Sequence, residues 1–322
     1  MTHQPIKLGG FKTLKGMAKF SLVIPEKSDL TPALLLESVT KKQINFPYLT
    51  CVHTKGYWGL NMLVESDRGL LLSLLIEEAF GKSCDHTSAC AILSIFPHQK
   101  DPHILCRIIN AFKLNEIKPE AMAISPSAIS VVLQEKDINR ASASLFGPFS
   151  FSAYRTPQDW KLAQKGKEHI YKEVIASYQE KRPKVYGLEY YVNQELDQLD
   201  FQSDSVQSTE CFSKISSTDR ILTFAASYPD KNCSEETLGI CLSAGNAGEN
   251  NKNIIFSMTG PHFGDRYGIS HELLASLEKR NVDVLSLSCT IASITGVINR
   301  SQLDQTIDGI KDCFEVPMVV GK

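Results

Sequence analysis

The chain has 322 residues, 43% of them apolar and 22% charged, and a formal net charge of −2. That length predicts about two domains with sizeable cores, and a near-neutral balance with scattered basic residues gives no footprint for nucleic acid. No apolar run approaches the ~18 residues of a membrane span, and no basic start leads into a signal-type core, so a soluble, cytoplasmic protein is expected.

In chain order, the first module (residues 1–84) opens with a strand of alternating polarity, Met17–Ile24, and a loop, Pro25–Leu30. A helix over Thr31–Gln43 follows, with Thr31 as its cap and Pro32 in its first turn. Tyr48–His53 and Tyr57–Glu65 read as a hairpin around Lys55-Gly56, and Arg68–Phe80 has apolar residues at helical spacing.

The second module (85–156) has a strand Ala89–Phe96, then a helix capped by Asp101 and running to about Asn115. Ile104, Leu105, Ile108, Ile109 and Phe112 share one face of that helix. Strands Ala121–Ser125 and Ala128–Gln134 flank the turn Ser125-Pro126-Ser127. A helix Ile138–Phe146 and a strand in Phe149–Tyr154 complete the unit. Residues 157–183 form a linker, an amphipathic helix from Pro157 to Lys181 that carries Trp160, Ile170, Val174 and Tyr178 on one stripe and ends at Arg182-Pro183.

The third module (184–250) is degenerate, with extended stretches Val185–Val192 and Leu196–Phe201, a short helix in Thr209–Ile215, and strands Ile221–Tyr228 and Thr237–Ser243. Its acidic, Gly/Asn-rich stretch Ala244–Lys252 is too short for a second helix. The fourth (251–322) is complete: strand Asn253–Thr259, loop Gly260–Gly268, helix Ile269–Arg280, strands Val282–Thr290 and Ser293–Asn299, helix Gln302–Phe314, and room for a last strand. Its order is the ferredoxin-like βαββαβ plan. Ile6–Phe11 matches Val185–Leu188, each leading into an odd-numbered module, which suggests two pairs joined by the long helix.

The nine cysteines are an odd number with no CxxC. Cys51, Cys90, Cys106, Cys241 and Cys289 sit singly in apolar stretches and read as buried thiols in a reducing compartment. The pairs Cys51/His53 and Cys84/His86 lack two further ligands at zinc spacing. No metal and no cofactor are expected, nor is any GxSxG, HExxH or GxxxxGK[ST] motif present.

The loop–helix junction Asp265-Arg-Tyr-Gly-Ile269 resembles that of ACT domains, which bind free amino acids. Ser125–Leu133 followed by Lys136-Asp137, and Ser288–Ile298 followed by Gln302, resemble the tandem ACT domains at the regulatory end of aspartate kinases. This resemblance implies an α+β fold of tandem ferredoxin-like ACT modules, paired into extended antiparallel sheets with helices on one face. Lys7-Leu-Gly-Gly-Phe-Lys-Thr13 also resembles the Lys-x-Gly-Gly-Thr opening of the kinase catalytic domain. An ACT-like module rather than doubly wound α/β structure follows it, so the expectation is a regulatory protein and not an enzyme.

The implied ligand is a free amino acid or similar small metabolite. Glycines at Gly264 and Gly268 allow a sharp turn and close backbone approach, and amides at the start of the Ile269 helix suit a carboxylate. Asp265 suits the ammonium, or Arg266 takes the carboxylate; Tyr267 stands where the family has proline. Asn281 enters the facing strand, His262 lies in the same loop, and Ser28, Asp29 and Leu30 form the matching loop of the first module. Asp29, Asp101 and Asp265 equally suit plain helix capping. Exposed sheet edges imply side-by-side pairing, in a homodimer or within one chain, and the signal passes to a partner enzyme. The alternative is a ligand-free interaction subunit of a separate amino-acid biosynthetic enzyme.

Overall fold

A computed structural model describes residues 4–54, 56–81, 84–96, 100–164, 182–200, 220–233, 235–243, 252–260, 263–264, 266–291 and 293–322. The first half runs β1 (Ile6–Leu8), β2 (Gly10–Pro25), α1 (Pro32–Lys41), β3 (Tyr48–Thr54), β4 (Tyr57–Glu65), α2 (Gly69–Phe80), β5 (Asp85–Phe96), α3 (Pro102–Leu114), β6 (Ala121–Ile124), β7 (Ile129–Gln134), α4 (Ile138–Ser144) and β8 (Phe149–Phe151). The second half runs α5 (Pro157–Gln164), β9 (Gly187–Asp200), β10 (Leu222–Pro229), β11 (Glu236–Ser243), β12 (Asn253–Thr259), α6 (Ile269–Lys279), β13 (Val284–Thr290), β14 (Ser293–Asn299), α7 (Leu303–Cys313) and β15 (Val319–Gly321). The expected helices beyond Gln164 and over Thr209–Ile215 lie outside the described residues, as does most of Ala244–Lys252.

Local chemistry sets the helix ends. Thr31 Oγ1 accepts from the Leu34 amide at 3.3 Å and Pro32 follows at the first helical position, where its missing N–H costs nothing. Asp101 accepts from the His103 amide at 2.8 Å. The turn after α1 recurs after α3 and α6. Gln43, Glu116 and Asn281 take φ values of 54°, 52° and 55°. The next residue, Ile44, Ile117 or Val282, then bonds back to Val39, Phe112 or Leu277 and is buried. Three copies of one helix-to-strand joint, from three different sequences, mark a structural repeat.

The sheet follows the ferredoxin-like pattern, with one departure. β2 is a single strand of 16 residues: Met17–Pro25 pair with β4, while Gly10–Leu14 and, past a bulge, Met17–Ser21 pair with β5. A bulge between Leu14 and Met17, with Gly16 at φ 73°, bends the strand so that it serves two units. The strand within Phe149–Tyr154 therefore does not complete the second unit's sheet. That place belongs to Gly10–Leu14, and β8 pairs in parallel with β1. The carboxyl half repeats the device. The stretches expected at 185–192 and 196–201 are one strand, β9, which pairs with β12 through Gly187–Tyr191 and with β11 through Gln194–Asp200, and β15 lies parallel to it.

The strands run in the order β11-β10-β6-β7-β5-β2-β4-β3-β13-β14-β12-β9, and a β9–β11 pairing closes the ring. Two seams join the halves: β3 pairs with β13, with Thr50 opposite Ser288, and β6 pairs with β10, with Ala123 opposite Ala226. Edges that invite a neighbouring strand are thus met inside one chain. Strands buried on both faces read as continuous apolar runs, and Tyr48–Val52 is buried throughout. Their outer faces pack under α1, α2 and α6 or under α3 and α4, and their inner faces meet across the ring. The walls come so close that a Cβ on Gly59 of β4 would lie 3.0 Å from the Tyr228 side chain of β10.

A charged pair sits in that interior. Lys19 is 6% exposed; its Nζ lies 2.7 Å from Glu236 Oε1 and donates to the Glu120 carbonyl at 2.8 Å. Asn61 Nδ2 donates to Glu236 Oε2 at 2.8 Å and to the Ser227 carbonyl at 3.1 Å, and Thr50 Oγ1 donates to that same carbonyl at 2.6 Å. The knot ties β2, β3 and β4 to β10 and β11.

Candidate ligand-binding site

Pairing β3 with β13 sets α1 beside α6, head to tail. Each end of this helix pair has a cleft, and each cleft combines the start of one helix with the joint that follows the other.

In the first cleft, Gly268, Ile269 and Ser270 at the start of α6 face Leu36, Val39 and Thr40 of α1 and Ile44, Asn45 and Phe46 beyond it. It measures about 10 Å³, no more than one water requires. Asn45 Nδ2 donates to the Gly264 carbonyl at 2.5 Å. Phe263, 3% exposed, fills the space and meets Phe314 edge-on at 6.1 Å. Gly268 starts the helix at φ 85°, and a Cβ there would lie 3.0 Å from Thr40 Cγ2. A Cβ on Gly264 would lie 2.2 Å from Ile291 Cγ2. His271 Nδ1 is buried beside this closed space without a hydrogen-bond partner.

In the second cleft, Thr31, Pro32 and Ala33 at the start of α1 face Leu274 and Glu278 of α6 and the segment Val282–Leu285. His53, Trp58 and Asn299 complete the walls, and the volume is about 390 Å³, in the size class of small-molecule sites. The His53 and Trp58 rings stack at 4.5 Å. Gln302 fixes the polar wall: its Oε1 accepts from the Asp283 amide at 3.2 Å, and its Nε2 donates to Asp283 Oδ2 at 3.1 Å and to the Asn281 carbonyl at 2.9 Å.

The residues expected to form one site are therefore divided between two. Gly264, Arg266, Tyr267, Gly268 and Ile269 stand around the small cleft, while Asp265 and His262 lie outside the described residues. Asn281 stands at the other end of α6, beside the wide cleft, and the loop Ser28, Asp29, Leu30 leads into its α1 wall. Ser28 Oγ accepts from the Leu30 amide at 3.2 Å. Thr31 rather than Asp29 caps α1. Sequence reasoning did not find Trp58, Glu278, Asp283 or Asn299. A signal existed: Leu36, Thr40, Ile44, Asn45 and Phe46 correspond, at one constant spacing along the chain, to Leu274, Glu278, Val282, Asp283 and Val284.

Among the described residues no cysteine lines either cleft. Cys51 and Cys289 lie buried beneath the helix pair, where burial pushes the Cys289 thiol up to about 12 and Cys51 higher still, so neither is a thiolate at neutral pH. Among the described residues no group of His, Cys, Asp or Glu is placed to hold a metal, and no helix is long and apolar enough to cross a membrane.

No protein-family model matches the sequence, and no curated protein matches it. Solved structures do. The chain is similar to the aspartate kinase from Synechocystis, with a TM-score of 0.74 and 12% identity over 95% of this chain. It is also similar, over shorter spans, to the regulatory subunit of aspartate kinase from Thermus thermophilus (TM-score 0.40, 15% identity, 44% of this chain and 99% of that one) and to E. coli aspartokinase III with lysine and aspartate (0.34, 9%, 45% and 34%). These two superpositions are too partial to bear on the fold. The first establishes the architecture as that found in an aspartate kinase. It also corrects the expectation of a non-enzyme, since the structure that superposes on nearly the whole chain belongs to an enzyme. The chain spans 56% of the length of that enzyme.

Proposed function

We propose that this chain is the amino-acid-sensing portion of an aspartate-kinase-type enzyme and takes its effector at the seam between α1 and α6. The observation that carries this reading is the wide cleft, where one wall is apolar (Leu274, Val284, Trp58), one bears carboxylates (Glu278, Asp283) and one is the start of a helix. An α-amino acid offers matching groups: an ammonium for the carboxylates, a carboxylate for the positive end of the helix dipole, and a side chain for the apolar wall. The fold shared with an aspartate kinase over 95% of the chain supports the setting.

Regulation follows from geometry. The cleft lies between elements of the first and fourth units, so a ligand that grips both biases how β3 and β13 sit against each other. Those strands join the ring to which the other two units belong. The test is thermal unfolding of the full chain in the presence of each of the twenty amino acids. Binding to the folded state at a hundredfold excess over Kd adds about 2.7 kcal/mol, a clear rise in Tm for the effector. No rise with any amino acid at millimolar concentration contradicts the reading.

A further inference from the structure

We infer that the wide cleft is the working site of the α1–α6 pair and that its twin at the start of α6 is closed, so that this helix pair takes a single amino acid. The inference rests on the reading above and adds which cleft works and what makes the two differ.

The two clefts are copies of one design. Thr31, Pro32 and Ala33 in one answer to Gly268, Ile269 and Ser270 in the other, and the facing walls correspond residue by residue, as set out above. Besides Arg266 and His271, which line only the small cleft, and His53 and Trp58, which line only the wide one, three differences at matching positions bear on access. Asp283 and Glu278 of the wide cleft stand where the small one has Asn45 and Thr40. Val284 stands where the small one has the bulkier Phe46, and Phe263 enters only the small cleft.

These three act in the same direction. Asn45 is neutral and spends its amide on the Gly264 carbonyl, which ties the loop onto α1; an aspartate in its place has no N–H to give. Phe263 and Phe46 are buried at 3% and 7% exposure, and the edge-on contact of Phe263 with Phe314 anchors the plug in the core. Opening the small cleft requires breaking that tie and exposing two aromatic rings. The wide cleft instead keeps two carboxylates at its rim, one of them held by Gln302 in a fixed place, as a site that meets a cation requires.

The experiment is calorimetric titration of the full chain with each of the twenty amino acids, repeated on Asp283→Asn and Asn45→Ala. The wild type is expected to bind its effector, with one equivalent assigned to the α1–α6 pair. Asp283→Asn, which removes one charge from an exposed position, is expected to weaken binding at least about tenfold, the size of a lost charge-assisted contact. Asn45→Ala is expected to leave both affinity and stoichiometry unchanged, because the aromatic plug remains. Binding that survives Asp283→Asn and is lost in Asn45→Ala overturns the assignment while leaving amino-acid sensing intact. Absence of heat with every amino acid overturns both.

Discussion

Replacing Lys19 by methionine tests how the units are held together. The substitution keeps the length and apolar stem of the side chain and deletes only the ammonium. Glu236 is then left inside the ring with only the neutral donors Asn61 and Ser227, and the Glu120 carbonyl loses the Lys19 donor. Breaking a buried pair on one side costs about 3–5 kcal/mol, and an orphaned buried carbonyl adds roughly 1 kcal/mol, so a loss of about 4–6 kcal/mol is expected at pH 7. The double variant Lys19→Met/Glu236→Leu removes both charges and should recover all but about 1–2 kcal/mol. The pH dependence has a definite sign. Burial pushes the Glu236 carboxyl above its ordinary 4.5, only partly offset by Lys19, Asn61 and Ser227, and deleting Lys19 pushes it higher. A carboxyl raised in the folded state contributes fully below its unfolded pKa, and that contribution fades as pH rises through the folded value. The deficit of Lys19→Met should therefore be largest near neutrality and shrink toward pH 5. Urea unfolding from pH 5 to 8, with m unchanged, measures it. A loss below about 1 kcal/mol at pH 7, or a deficit that does not vary with pH, refutes the burial argument.

Four further substitutions, at three positions, probe the seam. Gly264→Ala puts a Cβ 2.2 Å from Ile291 Cγ2 and 2.9 Å from Ile291 Cα, and should lower stability by about 1–3 kcal/mol in thermal unfolding, as overpacking does. Asn281→Gly should be tolerated, whereas Asn281→Val, a β-branched residue forced to φ 55°, should cost about 1–2 kcal/mol in the same assay. Thr31→Ala removes the cap of α1 and should cost about 1 kcal/mol by urea unfolding, with no change in the far-UV spectrum of the folded state.

Most individual elements could be read from the chain because their signals are local. The cap and proline of α1, the hairpin of β3 and β4, the apolar face of α3 and the last unit from Asn253 to Cys313 each carry their own pattern. What escaped was set by distant partners. Nothing near Phe149 shows that Gly10–Leu14 already occupies the place beside β5, since that depends on β2 running unbroken past Gly16. The seams between β3 and β13 and between β6 and β10 have no local mark except burial on both faces. The cleft proposed above as the site has no local mark either. A glycine-rich loop before a helix draws the eye to Gly264–Ile269, yet Asn45 and Phe46, distant in sequence, fill the space beside that loop. Comparing the first and fourth units position by position, rather than searching for one good loop, brings Asp283 and Glu278 into view.

The most direct measurement is hydrogen–deuterium exchange of the full chain with and without each of the twenty amino acids at saturating concentration. The account predicts that one amino acid slows exchange at the start of α1 (Ala33–Leu36) and, together with it, over Val282–Leu285, two segments far apart in sequence that face each other across the wide cleft. Protection confined to either segment alone, or no change at both with all twenty, contradicts it.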